Sequence, residues 1–129
     1  MNMFSPWTKV GSIVPNNSTI DLRECFACLL CNAALSHSLL AGRDDIWAPD
    51  VSYYNGTYYA YYSVSSFGSQ NSGIGLATST TMEPGSWTDH GLVFRSYTGD
   101  TYNAIDANFH VDENGRPVLS FGEFSSRLR

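Results

Sequence analysis

Asn55-Gly56 separates two tyrosine-rich runs, Val51-Ser52-Tyr53-Tyr54 and Thr57-Tyr58-Tyr59-Ala60-Tyr61-Tyr62-Ser63-Val64. A type I′ turn needs positive φ at both central residues, and Asn-Gly adopts that conformation at low steric cost. The two runs therefore read as a β-hairpin, and from Asp44 onward the chain continues in the same style. Gly73-Ile74-Gly75-Leu76-Ala77-Thr78 predicts a third strand, with glycines where another group comes close. Glu83-Pro84-Gly85-Ser86 turns the chain toward a short fourth strand, Gly91 to Phe94. Four antiparallel strands in sequence order make one blade-like sheet. Phe109-His110-Val111, a turn at Asp112-Glu113-Asn114-Gly115, and Pro117 to Phe121 begin a second sheet of the same kind.

The segments before Asp44 differ. Trp7 to Pro15 alternates like a short strand and ends at a Pro-Asn-Asn turn. Arg23 to Ala41 holds three Cys, five Leu and four Ala and lacks the Tyr and Asn-Gly punctuation found elsewhere, a compositional shift that marks a boundary or an insertion. Cys25, Cys28 and Cys31, with His37, could form a site of three thiolates and one imidazole, but no second ligand pair or turn chemistry accompanies them. The plainer reading is an amphipathic helix whose cysteines pack as small hydrophobes. An odd cysteine count excludes a fully paired disulfide framework.

At 129 residues the chain is one domain's worth, with 43% apolar residues and no run able to span a bilayer as a helix. Aromatic residues are 14% of the chain against 15% charged, a balance suited to sheet faces and flat stacking surfaces. A formal charge of -5, with no Lys or Arg stripe, argues against a nucleic-acid backbone as partner and favours a neutral or weakly polar ligand. Met1 to Trp7 lacks the basic-then-apolar pattern of a signal peptide.

The candidate chemistry centres on Tyr102-Asn103-Ala104-Ile105-Asp106-Ala107-Asn108. Asp106 stands between apolar neighbours in a sheet-like run, so it is expected to face a core or a cleft, where a carboxylate must be hydrogen-bonded or neutralised. The competing reading is a strand-end Asp that bonds turn amides. Asp50 follows a proline that fixes a strand entry and reads as structural. His90 and His110 show no acid-base partner.

Asp45-Ile46-Trp47-Ala48-Pro49-Asp50-Val51, the run Tyr61 to Ser72 with Ile74-Gly75-Leu76-Ala77, and Tyr102 to Asp106 together resemble the endo-1,5-α-L-arabinanases of glycoside hydrolase family 43. The likeness runs from Asp44 to Phe124. It implies an all-β chain carrying about two blades of a five-bladed β-propeller, with inverting hydrolysis of α-1,5-arabinofuranosidic bonds by a carboxylate trio at the channel mouth. In that family the Asp of this block tunes the pKa and orientation of the general acid, a role that falls on Asp106. Asn103, Ala104 and Ile105 then belong to the substrate-contacting segment, and Trp47 and Phe67 match the stacking aromatics. Phe121-Gly122-Glu123-Phe124 matches a further block that puts Glu123 and Phe124 among the substrate-binding residues and makes Glu123 something other than the general acid.

The chemistry fits these assignments. Inversion needs one carboxylate to activate water and a protonated one to serve the leaving oxygen, about 6.5 to 9.5 Å apart. A third acid nearby keeps the donor protonated, because close like charges resist joint ionisation. Sugars bind flat apolar platforms beside hydrogen-bonding groups.

Departures from the family pattern carry their own expectations. The general base sits in a motif resembling His-Asp-Pro in an early blade, and the general acid is a Glu of a later one; neither has a match in this sequence, so the chain alone is expected to be inactive and its open sheet edges adhesive, Tyr58 to Val64 above all. Relatives pass from an Ile-Asp-Leu like Ile20-Asp21-Leu22 almost directly to a Gly-Arg-Asp-Asp like Gly42 to Asp45, which makes residues 23–41 an insertion with the character of a translated intron. The resemblance implies arabinan or arabino-oligosaccharide as partner, no nucleic acid or membrane, a monomer when complete, and an extracellular location. It implies no cofactor here, since the calcium or other ion sometimes found in the channel would take its ligand from a later blade. The alternatives are a non-catalytic carbohydrate-binding propeller module and a related arabinofuranosidase or xylosidase.

Overall fold

A computed structural model of the protein describes residues 11–14, 18–20, 22 and 46–122. The segment Arg23 to Ala41 with its cysteines and His37, most of the Trp7 to Pro15 run, and Glu123 and Phe124 lie outside the described residues. Residues 11–14 form an irregular bend and not the expected strand.

Six strands follow: β1 (Ile46–Tyr54), β2 (Thr57–Val64), β3 (Ser72–Ser79), β4 (Thr88–Ser96), β5 (Ile105–Val111) and β6 (Pro117–Gly122). β1 to β4 make an antiparallel sheet in sequence order, and β5 and β6 pair separately. The hairpin is as its sequence dictates, with Asn55 at φ 47° and Gly56 at φ 83° and Tyr53 directly opposite Tyr58. Strand ends run beyond the apolar runs, because ladder bonds continue past the residues whose side chains are buried.

Period-two alternation divides β2 between two cores. Ala60, Tyr62 and Val64 face one core, shared with Val14, Ile20, Leu22 and Ala77. Tyr59 and Tyr61 face the other way, where both rings stack on Phe109 of β5 at interplanar angles of 15° and 13°. Ile74, Ala104 and Ala107 complete that second core. The four-stranded sheet is therefore covered on one face by Ile13, Val14, Ile20 and Leu22 and on the other by the second sheet.

Tyr62 and Gly75 show why β3 carries glycine. A Cβ built on Gly75 would lie 2.6 Å from the Tyr62 hydroxyl oxygen, so only a bare backbone lets that ring lie flat on the neighbouring strand. The Tyr62 hydroxyl donates to Asp89 Oδ1 at 2.7 Å and lies 2.9 Å from Ser18 Oγ. Burial first, and then Asp89, push its phenol far above its ordinary range. Asp89 also accepts from the Thr19 amide, the Thr19 hydroxyl and the Gly91 amide, each at 3.0 Å.

Burial alone would raise the Asp89 carboxyl, but the bonds from Tyr62, Gly91 and Thr19 together hold it below the ordinary carboxylate range. A depressed folded-state pKa stabilises above the unfolded value, about 3.9, and that contribution is lost as pH falls below it. Stability is expected to fall on acidification below about pH 4, and to fall less in Asp89→Asn. Urea midpoints of both proteins at pH 6 and pH 3 check this.

Candidate active site

Two β-bulges shape the edge where the sheets meet. In β1 the register runs from Trp47 opposite Ser63 to Asp50 opposite Tyr61, so Ala48 and Pro49 stand against the single residue Tyr62. In β5 it runs from Ile105 opposite Gly122 to Asn108 opposite Ser120, the same irregularity. Each bulge contains a non-glycine residue at positive φ: Ala48 at 37° and Asp106 at 52°. Trp47-Ala48-Pro49-Asp50 and Ile105-Asp106-Ala107-Asn108 are thus structural counterparts in consecutive sheets, although they share no residue. Bulges re-aim side chains, and non-glycine residues persist at positive φ only where their surroundings over-determine them.

Asp106 is exposed, on the outward side of a strand whose Ile105, Ala107 and Phe109 turn inward. Its amide donates to Ser63 Oγ at 3.0 Å, and its carboxylate lies beside Gly122 of β6, where an added Cβ would stand 3.8 Å from Oδ2. Trp47 is 40% exposed and pairs with that same Ser63 across β1 and β2. Residues opposed in an antiparallel ladder share a face, so Ser63 brings Trp47 and Asp106 into one neighbourhood.

Phe67 caps the connection between β2 and β3 and is 86% exposed. The turn beneath it closes through the Ser69 amide to the Ser66 carbonyl at 3.0 Å, with Gly68 at φ 79° taking the position a side chain would strain. Asn103 fastens this loop. Its Nδ2 donates to the Ser69 carbonyl at 3.2 Å, and its Oδ1 accepts from Ser96 Oγ at the same distance. Ser96 Oγ in turn accepts from the Ala104 amide at 2.9 Å. Asn103 and Ala104 are buried, while Ile105 is half-buried with its amide bonded to the Asn103 carbonyl at 3.0 Å. The block expected to touch substrate thus places the Asn103 side chain inside the bracket that holds the Phe67 loop, packs Ala104 into the second core and projects its last, Asp106, outward.

Further residues position the site. Asp50 accepts from the Phe109 amide and Ser52 donates to the Phe109 carbonyl, both at 3.3 Å, so β1 side chains satisfy the free edge of β5. Sequence reading missed Ser63, whose trace is a small polar residue in an otherwise apolar and aromatic strand. His90 pairs with Thr78 at 2.7 Å and His110 is exposed; neither adjoins Asp106 in the strand register. Among the described residues no group of three or more His, Cys, Asp or Glu is placed to hold a metal ion.

The family model for glycosyl hydrolases family 43 matches residues 5–128. The chain is 50% identical over 120 residues to arabinan endo-1,5-alpha-L-arabinosidase A of Aspergillus niger, covering 92% of this chain and 32% of that protein. The corresponding probable enzyme of Emericella nidulans is 48% identical with the same coverage. Among solved structures, native Bacillus subtilis arabinanase is 57% identical with a TM-score of 0.57, over 60% of this chain and 26% of that one. The Cellvibrio cellulosa alpha-L-arabinanase complexed with arabinohexaose is 40% identical with a TM-score of 0.56, over 60% and 26%. The chain thus spans about a third of the length of the curated relatives it matches. Its described strands are one four-stranded blade and the opening pair of the next in a five-bladed β-propeller.

Proposed function

Because the chain belongs to glycosyl hydrolases family 43, we propose that it supplies part of the active site of an enzyme that cleaves α-1,5-arabinofuranosidic bonds in arabinan with inversion. The observation that carries this reading is the exposed Asp106, held at positive φ on a bulge beside Trp47. Asp106 acts on the general acid, keeping it protonated by like-charge repulsion. Trp47 and Phe67 offer rings to sugar faces. Asn103 holds the Phe67 loop, and Ile105, Glu123 and Phe124 contact substrate, a role that rests on their match to the family's sequence blocks. The water-activating base and the acid itself come from sequence outside residues 1–129, so this chain alone turns over no arabinan. The relatives' printed names support this substrate, as does the arabinohexaose complex of one neighbour.

A polymeric substrate favours action outside the cell. A closed ring of blades leaves only short, protected sheet edges to recruit a second copy, which favours a monomer. Residues 23–41 are read as an insertion, and a long surface insertion costs little because closure entropy grows slowly with length.

The test is hydrolysis of linear arabinan by the full-length polypeptide that carries this chain, with and without residues 23–41, following the product anomer by NMR. Release of the inverted anomer by both forms is expected. Binding without turnover would favour a carbohydrate-binding module, and a retained anomer would remove the inverting mechanism.

A further inference from the structure

We propose that Ser63 is a positioning residue that sets the direction of the Asp106 carboxylate through the Asp106 amide, an inference that rests on the reading of Asp106 given above.

The bulge makes this anchor necessary. Ile105 opposes Gly122 and Asn108 opposes Ser120, so Asp106 and Ala107 share the single residue between those partners, and the Asp106 amide has lost its regular place in the ladder. Ser63 Oγ, on a fully buried side chain, accepts that amide at 3.0 Å. The bond crosses from one blade to the next. Three residues on, Asp50 and Ser52 hold both backbone groups of Phe109, and Tyr59 and Tyr61 hold its ring. The strand is thus clamped beyond the bulge, and Ser63 is the clamp at the bulge itself. Without it the amide loses its partner and Asp106 is free to leave the left-handed region, which swings its carboxylate away from its present direction.

Asp50 and the Tyr54, Tyr59 and Tyr61 phenols are the other titratable groups on the β1 and β2 faces packed against β5. Burial, and then Tyr59, push the Tyr61 phenol upward, away from the range in which a glycosidase profile is read.

The experiment compares Ser63→Ala, Asp106→Asn and the double variant in the full-length enzyme on linear arabinan. Ser63→Ala is expected to lower kcat by roughly ten- to a hundredfold with KM little changed, and to move the basic limb of the kcat profile to lower pH. In the Asp106→Asn background the same substitution should add nothing, because both act through one carboxylate. Ser79→Ala, an equally secluded serine at the far end of β3, controls for lost stability and should leave the profile in place. Ser63→Cys, of similar volume with a poorer acceptor, is expected between wild type and Ser63→Ala.

An unchanged profile in Ser63→Ala and Ser63→Cys, or a loss that multiplies in the double variant, would overturn the assignment. Wild-type behaviour of Asp106→Asn would instead overturn the reading on which it rests.

Discussion

Asp106→Asn, in the full-length enzyme, is expected to lower kcat on linear arabinan by about 10²–10⁴-fold while leaving KM within a few-fold, the range spanned by loss of effective proton donation. The substitution is chemically narrow. Asn tolerates positive φ as Asp does, so the 52° conformation and the amide bond to Ser63 are retained and only the charge is lost. An ionised Asp106 makes ionisation of a neighbouring acid harder and so raises the pH at which that acid loses its proton. Removing the charge lowers that pH, and the basic limb of the profile shifts down. Bell-shaped profiles of kcat for both proteins, with thermal melts to confirm that the fold is intact, decide the matter. Equal activity with coincident limbs would take Asp106 out of the chemistry.

The largest effect on stability is expected at Tyr62. Its ring is fully buried against Gly75, and its hydroxyl joins Ser18 to Asp89, which links segment 18–20 to the outer strand β4. Tyr62→Ala removes the ring, at about 3–5 kcal/mol, and leaves the Asp89 and Ser18 oxygens short of a partner, at about 1–3 kcal/mol. Since whole-domain stability is about 5–15 kcal/mol, this variant is expected to be largely unfolded. Tyr62→Phe keeps the packing and loses the bond to the charged Asp89, about 1.5–3 kcal/mol, together with the contact to Ser18.

Gly75→Ala probes the same contact from the other side. Its methyl meets the ring from the middle of a sheet that cannot withdraw, and about 1–3 kcal/mol is expected for such overpacking. In a Tyr62→Leu background the methyl has room, so its cost should shrink well below the single-variant value. Urea midpoints of the four proteins measure that coupling. Equal costs in both backgrounds would mean that the ring and the glycine are not in contact.

What the sequence determined by itself is whatever depends on local periodicity and turn chemistry. Asn55-Gly56 carries its own backbone requirement, so the hairpin and the order of the strands were legible without tertiary information. The glycine alternation in β3 showed that something lay close against it. The ordered blocks from Trp47 to Asp106 carried the family and the identity of the acid. Only the tertiary structure decided where those side chains point. Apolar neighbours left Asp106 open to a core or a cleft; in the structure Ile105, Ala107 and Phe109 turn inward and Asp106 outward, and the bulge that holds it at positive φ leaves no trace in a period-two pattern. The same holds for Asn103, whose side chain is enclosed because Ser69 and Ser96, distant in sequence, converge on it. Ser63 and Asp89 were silent for the same reason: a single serine or aspartate is defined by its partner, and its partner lies 43 residues away in one case and 27 in the other.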